Sequence, residues 1–190
     1  MLFLLGGLLF ISCDKEKSKP KTLTEEKFFN LEQVGWKSKA ITNFRDDIAF
    51  KATMVPLQYY ILKHEGSQNL EKVDSIYQSL KEERIIEVEF QQEREDDLLK
   101  NKYTSRDYET SVKYMSFSMQ NDFKALVDNK DTIPCSGLTF ERNFKVAPFK
   151  RVLLYFDNIP EGVPITLLYD DTLFSKGFMR FNFTDTPIIL

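Results

Sequence analysis

Residues able to do chemistry are few in this 190-residue chain. It holds one histidine, His64, and two cysteines, Cys13 and Cys135. One histidine excludes metal centres built from several imidazoles. It also leaves any serine or cysteine nucleophile a single possible imidazole base. Cys135 lies in TIPCSG, where a lone thiol reads as a small buried hydrophobe. His64, in LKHEG, closes an apolar run at a turn and reads as a surface or capping residue. The two cysteines sit in very different settings, so no internal disulfide is expected.

Carboxylates gather in three places. EREDDLL carries Glu93, Glu95, Asp96 and Asp97. Calcium needs six to eight converging oxygens, and the D-x-D-x-D-G loop that supplies them is missing. These acids therefore read as the solvated start of a helix, where they suit the positive end of its dipole. DNKDT (Asp128, Asn129, Asp131) and YDDT (Asp170, Asp171) could supply the paired acids of glycoside hydrolysis. Asp and Asn are also the residues turns favour, and turns are the expectation here. No G-x-G-x-x-G, P-loop, G-x-S-x-G, H-E-x-x-H or C-x-x-C motif occurs. No catalytic residue, metal or cofactor is expected. The chain carries a net charge of −3 and shows no basic stripe, which argues against nucleic acid as a partner.

The remaining candidate is Cys13. The chain opens MLFLLGGLLFISC, uncharged up to the cysteine, and continues DKEKSKPK. Leu2 to Ile11 is too short for a membrane span, which takes about 20 apolar residues, but has the length of an export signal's apolar core. Phe10-Ile11-Ser12-Cys13 resembles the lipobox of bacterial lipoproteins. That resemblance implies cleavage before Cys13, diacylglycerol on its thiol, and an acyl chain such as palmitate on the new amino group. Residues 1–12 would then be a signal peptide. Residues 13–33 would be a lipid-anchored tether, kept extended by like-charged lysines and Pro20. Two or three chains hold firmly where one does not, since each buried CH₂ contributes about 0.8 kcal/mol. The charged run after Cys13 also resembles the export signals of Bacteroidota surface lipoproteins. The alternative is a buried N-terminal strand with Cys13 as a core thiol.

Residues 34–190 read as one domain, with Trp36 packing where the tether meets it. A short helix is expected around Thr24 to Asn30. The run around Pro56 predicts two strand segments, since proline sits badly inside a helix. Leu70, Val73, Tyr77 and Leu80 predict a helix capped by Ser67 or Asn69. Tyr108, Val112, Met115, Met119, Phe123 and Leu126 predict a long second helix. Thr104 with Asp107 would form its capping box, and Asn129 would end it. RIIEVEF, GLTFERNFKV, KRVLLYFD, VPITLLYDD and GFMRFNF predict strands, the last two as a hairpin. The fold class expected is α+β, a mostly antiparallel sheet with two main helices packed on one face. A β-sandwich with a helical insertion between residues 92 and 128 is the alternative. The expected function is a non-catalytic binding or scaffold role in an envelope complex, anchored at the outer membrane. A glycan or small-ligand module on the Phe/Tyr-rich sheet is the alternative, and a carboxylate-dependent hydrolase stands third.

Overall fold

The computed structural model describes residues 39–66, 68–94, 96–142, 147–160 and 162–184. The opening apolar run, Cys13, the tether, the expected helix at 24–30, Trp36, Ser67 and Glu95 lie outside the described residues.

Nine strands are described: β1 (Ala40–Arg45), β2 (Ile48–Val55), β3 (Arg84–Gln92), β4 (Phe123–Val127), β5 (Asp131–Pro134), β6 (Gly137–Glu141), β7 (Phe149–Phe156), β8 (Ile165–Asp171) and β9 (Gly177–Phe183). The helices are α1 (Leu57–Glu65), α2 (Leu70–Leu80), the single turn α3 (Asn101–Thr104) and α4 (Tyr108–Phe117), followed by a 3-10 turn at Met119–Asp122. The strands form two sheets, β1-β2-β3-β7-β6 and β5-β4-β8-β9, and every described pairing is antiparallel. The protein is therefore a mixed α+β fold in which antiparallel strands dominate.

Alternation sets which strand face is buried. Ile86, Val88 and Phe90 are buried on β3, and Met179, Phe181 and Phe183 on β9. The two sheets share one core: Phe50 and Phe90 of the first touch Tyr169 of the second, each at 6.1 Å between ring centroids. Tyr169 in turn stacks on Phe123 at 4.3 Å. The helical segments bury their apolar sides in different clusters. Val112 and Met115 of α4 join the main core. Ile61 of α1 packs with Val73 and Tyr77 of α2 in a separate one.

Two expected elements differ. Pro56 separates strand β2 from helix α1, not one strand from another. With φ −59 it stands at the helix N-cap, an end where proline's missing N–H costs no helical hydrogen bond. The long second helix stops at Phe117. Phe123 and Ala125 are buried on β4 while Leu126 faces outward, so part of the apparent helical stripe is strand alternation. Its N-cap is Asp107, whose side chain accepts from the Thr110 amide at 2.9 Å. Thr104 instead accepts from Ser111 at 2.9 Å. Asn129 does not end a helix. With Asp128 it makes the turn between β4 and β5, both at positive φ (54 and 48), as a right-twisted hairpin requires. On α2 the cap is Asn69, accepting from the Lys72 amide at 2.9 Å.

Asp171 is the buried polar hub of the second sheet. It accepts from the Tyr169 hydroxyl at 2.8 Å and from the amides of Leu173, Phe174 and Lys176 at 3.1, 3.0 and 2.8 Å. This holds the β8–β9 loop so that Phe174 enters the core beside Phe90, 5.6 Å between centroids. Asp171→Ala would orphan three amides and a buried hydroxyl. It is expected to cost at least about 3 kcal/mol, against about 1 kcal/mol for Tyr169→Phe, both read by urea unfolding.

Candidate functional site

The outer face of the first sheet concentrates the polar side chains. Because alternate residues face outward, the strand register lines them up in rows. One row crosses all five strands: Thr42 pairs with Lys51, Lys51 with Glu89, Glu89 with Arg151, and Arg151 with Glu141. Charge alternates along it from Lys51 to Glu141, which is the favourable order for cross-strand neighbours.

Arg151 is the centre. It donates through Nη2 to Glu89 Oε2 at 2.8 Å and through Nη1 to Glu141 Oε2 at 3.2 Å. Its Nε lies 3.4 Å from Glu87 Oε2, one row away. Lys51 Nζ donates to the other oxygen of Glu89 at 2.8 Å. The two glutamates of β3 are thereby set apart. Burial would raise Glu89, but its hydrogen bonds from Lys51 and Arg151 outweigh this and hold it below the usual value. Glu87 is raised, because burial outweighs the attraction of Arg151.

The row separates two ends of the face. At one end Tyr60 of α1 meets Tyr155 of β7, hydroxyl to hydroxyl at 3.0 Å, and His64 lies against Tyr60 with ring centroids 4.4 Å apart. Burial first, and then the bond to Tyr155, push Tyr60 up to about 12. At the other end an open cleft of about 560 Å³ is lined by Phe44, Asp47, Lys51, Glu89, Gln91 and Glu93, among others. Phe44 is 71% exposed.

Of the carboxylates singled out in the sequence, Glu93 lines this cleft. Asp96 and Asp97 do not open a helix but pin the loop after β3. Asp96 is held low by hydrogen bonds from Lys100 and then Lys102. Asp97 pairs with buried Lys150 at 3.2 Å and accepts from the Leu99 amide at 3.1 Å. DNKDT and YDDT sit at opposite ends of β8: Val127 pairs with Ile165, and Asp171 is six residues further on, about 20 Å at strand rise. The structure does not bring the two acid pairs together. The carboxylate beside YDDT is instead Asp122, raised by burial. It accepts from Tyr114 at 2.7 Å and Thr172 at 3.2 Å, tying the 3-10 turn to the β8–β9 loop.

Cys135 marks where the chain switches sheets. Its amide donates to Phe123 on β4 at 3.3 Å, and the next amide, Ser136, donates to Tyr155 on β7 at 2.9 Å. Its thiol donates to the Gly137 carbonyl at 3.0 Å, and burial pushes it above the ordinary thiol range, the opposite of an activated nucleophile. Among the described residues no three His, Cys, Asp or Glu side chains are placed to hold a metal ion, and no helix is long and apolar enough to cross a membrane.

Sequence reasoning singled out neither Lys51, Arg151 and Glu141 nor Phe44. Glu87 and Glu89 were legible as the polar half of an alternating strand. Their cross-strand partners were not, because β7 follows β3 by more than fifty residues. Comparison with known proteins adds no family: no protein-family model, curated protein or solved structure matches the chain.

Removing the guanidinium leaves three carboxylates facing one another. Arg151→Met is expected to lower stability by about 1–3 kcal/mol at neutral pH. Glu89 lies below the ordinary Glu value of 4.5 in the fold, so its contribution is present above that value and fades as pH falls through the folded one. The gap between wild type and variant should therefore narrow on acidification, read by urea unfolding at pH steps below neutral.

Proposed function

We propose that the protein is a lipid-anchored component of a bacterial cell envelope, attached through Cys13 and acting as a non-catalytic binding or scaffold subunit. The outer face of its first sheet would be the surface offered to a partner. The lipobox-like run to Cys13 and the charged tether after it support the anchor. One observation carries the non-catalytic reading. The Lys51–Glu89–Arg151–Glu141 row is internally paired, a fixed pattern of charge suited to specifying a partner and offering no free acid–base couple. The helical pair α1–α2 stands at the Tyr155 end and, in this reading, limits a partner's footprint on that side. Outer-membrane placement belongs to the same proposal, supported by the charged run after Cys13.

Phe44 favours the second reading, a glycan or small-ligand module. An exposed ring beside the carboxamide of Gln91 and the hydroxyl of Thr42 is an aromatic platform with orienting polar groups.

Affinity capture from detergent-solubilised envelopes tests the first reading. A partner recovered with wild type and lost with Arg151→Glu is the expected result; recovery of the protein alone overturns it. Sugars and peptidoglycan fragments that raise the unfolding midpoint by mass action would support the second reading instead. The anchor has its own measurement. Cys13→Ser is expected to abolish the acyl mass and release the protein from the envelope fraction.

A further inference from the structure

We infer that the cleft at the β1–β3 end of the first sheet takes a lysine- or arginine-rich extended segment of a partner protein. This rests on reading that face as a partner surface, and it adds the chemistry of what docks there.

Charge in the cleft is one-sided. Asp46, Asp47, Glu89 and Glu93 line it against Lys51 alone. Some of that charge is met. Glu89 is shared by Lys51 and Arg151, and Asp46 pairs with Lys176 at 2.6 Å. The Asp47 carboxylate accepts from the neutral Gln92 side chain, at 3.3 Å, and no cation among the described residues pairs with it or with Glu93. These two residues are held side by side, because the Glu93 amide donates to the Asp47 carbonyl at 3.0 Å. An anionic or nucleic-acid ligand would meet repulsion here.

Phe44 narrows the class further. Its ring is 71% exposed on the edge strand of the sheet and lines the same cleft as the unmet carboxylates. An aromatic face beside carboxylates suits a cation carried on an apolar stem, with the stem on the ring and the charge at the acids. Lysine and arginine side chains have that form. The cleft spans three strands, about 10 Å across, and so has room for two or three extended residues. Thr42 and exposed Gln91 each offer a donor and an acceptor, which is what a peptide backbone needs at its N–H and C=O groups.

The probes are tetra-arginine, tetra-lysine, tetra-glutamate and spermidine, titrated into the full chain by calorimetry. The basic peptides are expected to bind, with affinity falling severalfold as salt rises, and tetra-glutamate is expected not to. Phe44→Ala and Glu93→Gln should each weaken tetra-arginine about threefold, the weight of one exposed contact, with an unchanged unfolding midpoint. Glu71→Gln on α2 removes the same charge at a distance and should change nothing. Equal loss with Glu71→Gln and Glu93→Gln would reduce the effect to bulk charge and overturn the inference. Spermidine binding as tightly as tetra-arginine would overturn the peptide assignment. A captured envelope partner that Phe44→Ala does not weaken would sink this inference and leave the scaffold reading standing. Peptide binding by a chain found without an acyl group would leave the inference standing and remove the anchor.

Discussion

The fold depends on keeping one carboxylate, Asp171, out of water. Its two oxygens answer the hydroxyl of a wholly buried tyrosine and the loop amides of Leu173, Phe174 and Lys176. Burying a carboxylate is costly unless its hydrogen-bonding capacity is met, and here it is met locally by residues 169 to 176. The consequence is tertiary. Tyr169 can lie flat against Phe123 while Phe174 reaches across to Phe50 and Phe90. The aromatic contacts that join the two sheets therefore rest on a polar node at the end of β8.

With the inner faces committed to this core, each strand's alternate residues are forced outward. On the first sheet the outward set is charged and cross-matched. The same register that puts Val88 against Val152 inside puts Glu89 against Arg151 outside. A one-residue slip would bury the charges and expose the core together, so the row is as firmly placed as the core beneath it. Along the row each charge has an opposite partner, although the buried Arg151 Nε makes no hydrogen bond. At the cleft end the pairing runs out, and Phe44, Asp47 and Glu93 remain available to something else.

Much of the strand content was legible. The alternation in RIIEVEF and GFMRFNF placed their buried residues correctly, and Asp128 and Asn129 of DNKDT form a turn as their types suggest, whereas Asp131 opens β5 and Asp170 and Asp171 end strand β8. The errors arise where a local signal fits two structures. Between Met115 and Leu126 the apolar spacing fits a period of 3.6 throughout, but the helix ends at Phe117 and from Phe123 on packing imposes strand alternation. Pro56 reads as an interruption, but its rigid φ fits a helix start as well as a break. The site was the least legible part. Glu87 and Glu89 could be seen facing outward, but nothing local tells them that Arg151 will stand between them, or that the edge residue Phe44 will border a cleft.

Legible in the residues alone were the uncharged run into Cys13, the lack of the G-x-G-x-x-G, P-loop, G-x-S-x-G, H-E-x-x-H and C-x-x-C patterns, and a chain of short alternating strands broken by turns. Those properties are written in neighbouring residues, since alternation and turn chemistry act within a few positions. Tertiary structure alone decided that the strands divide into two sheets sharing a core, that Cys135 sits where the chain changes sheet, and that Lys51, Glu89, Arg151 and Glu141 form one row. Those are long-range pairings, set by which register buries the most apolar surface without stranding a polar group.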